Sequence, residues 1–291
     1  MKVVGRLQLV LLSAYFWLFV AFLIAPLVVL VVFAFNDSTT PTLPLAGFTT
    51  DWFSQAFSNT QLTTALVRST LIAIVTGLLA TGLGMMAAIG LSAERMRLRS
   101  LVIATLLLPL VVPYISLAVG LVILLQALQV QTSLAAVVLG HVVIALPFAI
   151  LVLLPRLRTL DASMLEAARD LGSSSLTAFR LITLPLLGPA LVSSFLICFV
   201  TSFDEFAIAS FVAPSGEPTY PVFLYASART PALLPQVIAI GTLVIAGSII
   251  LVLMAESGRR RVERRLVGEM TSPEQVHESG DREEATWQAV R

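Results

Sequence analysis

Six stretches of this chain run for about twenty residues or more with almost no charge, the length needed to cross a bilayer. A backbone in lipid must satisfy its own hydrogen bonds, so apolar runs of that length fold as helices. They predict spans at 9–34, 66–91, 101–125, 134–154, 187–212 and 234–255. Composition agrees: 12% of residues are charged, against about 25% in soluble domains. Fourteen of the 35 charges lie from Ser257 onward, which leaves the body still more apolar. The fold class this predicts is an all-α membrane protein of six transmembrane helices, bound by the lipid bilayer. The apolar run from Leu7 to Phe35 is far longer than the core of a signal peptide, so it is read as a retained first span.

Lysine and arginine placement orients the bundle. With the N-terminus inside, Arg95, Arg97, Arg99, Arg156, Arg158, Arg169 and Arg180 fall on inner connections. Lys2, Arg6 and the cluster Arg259, Arg260, Arg261, Arg264 and Arg265 share that side, and only Arg68 and Arg229 fall outside. Both termini are therefore expected in the cytoplasm. The chain divides into a membrane body, 1–265, and a polar tail, 266–291, whose composition predicts disorder. Pro109 and Pro113 in the third run, Pro147 in the fourth and Gly77, Gly82 and Gly84 in the second leave two readings open. They serve close helix packing, or they kink helices that line an opening path.

The residues exclude most chemistry. A phosphate-binding P-loop needs a lysine after its glycines, and the only lysine is Lys2. Two histidines, His141 and His277, cannot make a zinc pair, and the lone Cys198 cannot form an intrachain disulfide. No catalytic residue, metal site or cofactor of its own is expected, and a net charge of +1 gives no ground for a nucleic-acid partner. His141 reads as a packed, hydrogen-bonded span residue, with a proton relay as the alternative.

Between the fourth and fifth runs lies a polar segment, 160–185, containing "EAARDLGSSSLTAFRLITLP". Asp161 or Ser163 caps a first short helix, and Ser163 and Glu166 have capping-box spacing. Met164, Ala168 and Leu171 form one apolar stripe. Gly172 ends the helix, and Ser173–Ser175 cap a second. A connection between spans needs only a few residues, so the segment reads as a docking element or as an interfacial helix.

Glu166-Ala167-Ala168, Gly172 six positions after Glu166, Ile182 ten further and Leu184-Pro185 closing the segment match the EAA signature in every fixed position. The chain thereby resembles the inner-membrane permease subunits of binding-protein-dependent ABC importers. The resemblance implies the type I importer permease fold and places the chain in a bacterial inner membrane. It makes the first short helix a coupling helix, seated in a groove of a separate ATP-hydrolysing subunit. ATP and Mg2+ would then belong to that partner, a cytoplasmic ATPase dimer. A second permease subunit, more readily a different one than a copy, and a periplasmic or lipid-anchored substrate-binding protein complete the implied assembly.

"FAFNDS" (33–38), "GFTTDWFSQAF" (47–57), "TSFDEFAIASFVA" (201–213) and "TYPVFLYASART" (219–230) resemble the spermidine/putrescine-type branch, so the implied solute is a polyamine. Where that branch shows Pro-Glu-x-Asn-Ala, this chain has Pro235-Gln236-Val237-Ile238-Ala239. Acids inside a membrane face protein or water, which makes Asp204 and Glu205 candidate pathway residues. One faces the path while the other caps or pairs with Arg229 or Arg68, and Phe203 or Tyr225 offers cation–π contacts to an amine. A structural ion pair at an outer gate is the alternative. Trp52 and Phe53 read as interfacial anchors or as a contact for the binding protein. An ion-coupled carrier using Asp204, Glu205 and His141, or a membrane scaffold, is the competing function.

Overall fold

A computed structural model describes residues 6–92, 98–250 and 253. The tail 266–291 and the basic cluster after Ser257 lie outside the described residues. The described chain is helical, with a single isolated bridge between Asn36 and Phe48 as its extended pairing. The helices are α1 (Arg6–Ala34), α2 (Asp51–Ser58), α3 (Thr60–Ser92), α4 (Arg99–Leu107), α5 (Tyr114–Ala127) and α6 (Leu134–Arg158). They continue with α7 (Ala162–Asp170), α8 (Ser175–Ala178), α9 (Leu184–Phe203), α10 (Ala207–Val212), α11 (Tyr220–Ser227) and α12 (Leu234–Ile250). Four helical segments are long and apolar enough to cross a bilayer singly, and the bent pair α4–α5 makes a fifth.

Two predicted spans are not continuous. The run 101–125 is bent by 99° between Leu110 and Tyr114. Pro109 lies in a 3₁₀ turn, Leu108–Leu110, and Pro113 caps α5. Each proline removes a backbone donor, and the residue before it is pushed off helical geometry, so two prolines four apart turn the chain. The run 187–212 is instead α9 and α10, separated at Asp204–Phe206. The helix α3 starts at Thr60, before the predicted 66, because the polar residues Thr60, Gln61, Thr63 and Thr64 ahead of the apolar run continue the same helix.

The centre is α3, α6 and α9 packed together, with α10 laid against α5 and α6. Small residues set this closeness. A Cβ on Gly84 would stand 2.5 Å from the Cβ of Ala149, and one on Gly77 would stand 2.9 Å from the ring of Phe195. Of the two readings of the second-run glycines, close packing accounts for these two, whereas Gly82 has no atom of the described chain within 4 Å of that position. Helix α1 exposes its side chains along most of its length, so its solvent in a bilayer is lipid or another chain.

After α1 the chain folds over itself. Phe35 stacks on Phe48 at 5.3 Å and lies 5.1 Å from Phe53, and the Trp52 indole N–H donates to the Asn36 carbonyl at 2.8 Å. The buried Asn36 accepts from the Ala46 N–H through Oδ1. Trp52 and Phe53 are thus half-buried braces of this loop, and Phe48 and Phe57 are its exposed aromatics.

Candidate functional site

Two places carry polar groups that the bundle does not need for burial, and they lie toward opposite ends of α6. Near its Leu134 end is the break between α9 and α10. Beyond its Arg158 end is the segment α7–α8.

The break begins where α9 runs out at Phe203. Asp204 N–H still bonds Val200 O at 3.1 Å, but Glu205 N–H reaches only Ser202 O, at 3.4 Å. The first amides of α10 have no helical carbonyl to bond, and the Glu205 side chain supplies the acceptors. Its Oε1 accepts from Ile208 N–H at 2.9 Å and its Oε2 from Ala209 N–H at 3.1 Å. The same Oε2 lies 3.1 Å from His141 Nε2 on α6, an approach off the line of the ring N–H. His141 Nδ1 is 2.8 Å from Ser202 Oγ, one turn before Glu205. Glu205 is 4% exposed and His141 1%. Beside them a Cβ on Gly140 would meet Ile208 Cγ2 at 2.7 Å, so α10 rests directly on the α6 backbone.

Asp204 is exposed while Glu205 is buried. The expectation that one of the two acids caps matches Glu205, but the expected arginine pairing does not occur. Arg68 lies 3.9 Å from Glu217 and donates to Pro218 O at 2.7 Å. Arg229 sits 5.4 Å over the Tyr225 ring and donates to its hydroxyl at 3.3 Å. Phe203 packs toward Phe199 and Tyr220, with ring centres 5.9 and 6.0 Å away. Tyr225 packs on Phe206, 5.0 Å away, which ties α11 to the residue closing the break. Gln236, at the departure from the branch motif, accepts from Asn59 Nδ2 at 2.9 Å and joins α12 to the foot of α3. Ser202 and Gln236 are the polar partners missed in sequence. Ser202 had a signal, a hydroxyl three positions before an acid on one helical face.

The segment α7–α8 is built from caps. Asp161 accepts from Ser163 N–H at 2.9 Å, which makes Asp161 the cap and places Ser163 within the first turn. A capping box from Ser163 to Glu166 is therefore not formed, because the helix starts before Ser163. Hydrogen bonds from Ser163, backbone first and then side chain, hold the Asp161 carboxyl below the usual aspartate range. At the other end Gly172 takes φ +83°. Gly172 N–H bonds Arg169 O at 2.8 Å and Ser173 N–H bonds Ala168 O at 2.9 Å, the paired bonds of a Schellman cap. Ser174 caps α8 through Thr177 N–H.

From α8 the chain enters a π-helical turn, Phe179–Thr183, and passes straight into α9. Ile182 is half-buried in that turn, while Leu184 and Pro185 open α9 on its exposed side. Glu166 and Ala167 are exposed, Ala168 is half-buried, and Leu171 stands 89% exposed at the end of α7. Phe179 packs into the cluster holding Leu91, Leu153 and Leu187, so α8 is fixed to the bundle while α7 projects from it.

A bundle of apolar helices, with a buried polar cluster at one helix break and a capped, exposed segment continuous with one long helix, is the architecture of a multi-pass membrane protein. Residues 80–266 match the model of the binding-protein-dependent transport system inner membrane component. The chain belongs to that family, and it is a permease subunit of an ABC importer, a transport component rather than an enzyme. It is 33% identical over 244 residues to the spermidine/putrescine transport system permease protein PotC of Haemophilus influenzae, covering 84% of this chain and 94% of that one. It is 33% identical over 253 residues to the putrescine transport system permease protein PotI of Escherichia coli, covering 83% and 89%. In fold it is similar to a bacterial alginate ABC transporter solved with a pentasaccharide-bound periplasmic protein. The TM-score there is 0.66 at 18% identity, over 88% of this chain and 94% of that one. The ion-coupled carrier and scaffold readings give way to the importer.

Proposed function

We propose that this chain forms half of a translocation pathway for a polyamine-class cation such as spermidine or putrescine in a bacterial inner membrane. It crosses that membrane six times, with both termini in the cytoplasm, as arginine placement favours. The other half is a second, different permease. A cytoplasmic ATPase dimer holding ATP and Mg2+ drives the pair, and a periplasmic or lipid-anchored binding protein delivers the solute.

In this reading α7 is the coupling helix. Glu166, Ala167 and Ala168 meet the ATPase, and Gly172 turns the chain. Ile182, Leu184 and Pro185 pass the movement into α9. Closure of the nucleotide-loaded ATPases draws the two coupling helices together and opens the spans outward. Support comes from the projection of α7 and from the unbroken helical path between α8 and Phe203.

The observation that carries the solute class is the match along 94% of a spermidine/putrescine permease. Asp204 fits it as an exposed acid at a helix break, with Tyr225 and Phe203 nearby in the fold as aromatic surface for a cation. The Gln236 departure favours one second reading, the same machinery carrying another small solute. Uptake of labelled putrescine and spermidine by vesicles bearing the reconstituted complex tests the choice. ATP-dependent uptake competed by these amines and not by neutral sugars is the expected result. Uptake of a neutral solute unaffected by amines would overturn it.

A further inference from the structure

The two adjacent acids at the break are treated differently by the fold, and a residue on another helix does the sorting. Glu205 is turned inward by three contacts: two amides of α10 and the His141 ring. His141 is itself held by Ser202, so α9, α10 and α6 meet at one imidazole. Gly140 allows the approach, since any side chain there would collide with Ile208. Tyr114, from the bent third segment, packs on the same cluster as Ile208, Ala209 and Val212.

An uninterrupted helix would bond Ile208 N–H to the Asp204 carbonyl and Ala209 N–H to that of Glu205. Here the Glu205 carboxylate takes both donors. The break is thus kept open by a side chain that must remain buried, and a buried carboxylate needs partners to stay there. The packed α10 amides satisfy it from one side, and the His141 ring lies against it from the other, with Nε2 3.1 Å from Oε2. If His141 is removed, the better alternative for Glu205 is to leave the interior. Its two amides then return to backbone carbonyls, the helix closes over the break, and Asp204 turns with it by part of the 100° step between neighbours.

We propose that His141 is a positioning residue of the translocation pathway. It locks Glu205 into the break between α9 and α10 so that Asp204 alone is presented on the open side. The lock is a matter of geometry, whereas its consequence for solute affinity rests on the polyamine reading above. The two therefore have separate tests.

The lock is read by thiol labelling in the assembled complex, in a chain carrying Cys198→Ser and Asp204→Cys. The reagent is a membrane-impermeant methanethiosulfonate. With His141 present, the introduced thiol reacts readily. Adding His141→Leu slows it at least fivefold, and His141→Gln, whose amide can place an N–H beside Glu205, restores it to within about twofold. Equal rates in all three chains would overturn the lock, as would a slowing that His141→Gln does not repair.

The consequence is read as putrescine uptake. Asp204→Asn raises KM at least tenfold, while Glu205→Gln lowers the maximal rate several-fold with KM held within twofold. An equal rise of KM in both variants would overturn the division between the acids. The expected labelling with no rise of KM in either variant supports the lock and removes only the cationic solute.

Discussion

Glu205 Oε2 lies 3.1 Å from His141 Nε2, and the same oxygen accepts from Ala209 N–H. One carboxylate therefore serves as the start of α10 and as its attachment to α6. The neighbouring Asp204 is left exposed. This arrangement gives the break the character of a built joint rather than a loosened helix, because the Glu205 carboxylate takes the two α10 amides, Ile208 N–H and Ala209 N–H, that the break frees.

Removing one side of that joint exposes its cost. His141→Leu takes the imidazole from beside Glu205, which either stays buried with one partner fewer or leaves the interior and gives up the break. The loss of one side of a buried pair costs about 3 kcal/mol. The double variant His141→Leu with Glu205→Gln gives back part of this, since the remaining side chain carries no charge. Thermal unfolding of the purified complex, read as a double-mutant cycle, measures the coupling. Additive losses would show that the two residues do not act together.

The glycines of α3 differ in a way the unfolding of single variants reveals. Gly84→Ala places a Cβ 2.5 Å from Ala149 Cβ, an overpacking that costs roughly 1–3 kcal/mol. Ala149→Gly in the same chain relieves it. Gly82→Ala meets no atom of the described chain within 4 Å and gains up to about 1 kcal/mol of helix propensity. The expected order of stability is Gly82→Ala at or above the parent, with Gly84→Ala well below it.

Much of this fold was legible in the sequence, and what was not has physical reasons. Runs of apolar residues located the long helices, because lipid leaves the backbone no other solution. Asp161, Gly172 and the serines around Ser174 announced their caps, because capping is a local property of a few residues. The bend at Pro109 and Pro113 was legible as a kink but not as a 99° turn, whose size depends on what packs around it. The break at Asp204–Phe206 was hidden because the run stays apolar on both sides. The partner of Glu205 was hidden for a different reason. His141 stands on another helix, and only the register of α6 against α10, set at Gly140, brings them together.

The cap at Asp161 carries a pH dependence with a definite sign. Hydrogen bonds from Ser163 hold its carboxyl below the usual aspartate range in the fold. A depressed folded-state pKa gives stabilisation that is fully present above the unfolded value and is lost as pH falls through the folded one. At neutral pH, Asp161→Ala should speed amide exchange across Ser163–Glu166, while Asp161→Asn, still a good cap, should not. As pH falls through that depressed folded-state value, the parent should approach the alanine variant. A parent whose exchange relative to alanine is unchanged across that range would show that the cap does not hold α7.

The turn at Gly172 offers a test of coupling that leaves the contact face intact. Its φ of +83° is open to glycine and strained for alanine, and the space around it is empty of described atoms. Gly172→Ala therefore acts through the backbone alone, at a cost of about 1 kcal/mol, with Gly172→Asn milder because asparagine tolerates this region. If α7 conveys the ATPase movement to α9, solute-stimulated ATP hydrolysis should fall in the order glycine, asparagine, alanine, with basal hydrolysis less affected. Equal stimulation in all three would mean that the angle between α7 and α8 does not matter to coupling.

Arg229 supplies the last prediction, because it covers the Tyr225 ring that the proposed solute amine would use. Its guanidinium lies 5.4 Å over Tyr225, and Tyr225 packs on Phe206 two positions from Asp204. A cation–π contact at an exposed site is worth about 0.5–1 kcal/mol, and an incoming amine that uses the same ring must displace the resident one. Arg229→Gln removes that competitor and one positive charge from the approach, so KM for putrescine should fall by about two- to fivefold. Tyr225→Leu in the same chain should cancel the gain, since the face being uncovered is then gone. If instead KM rises in Arg229→Gln, the arginine is holding Tyr225 and Phe206 in place for the solute, and Tyr225→Leu alone would raise KM to the same degree.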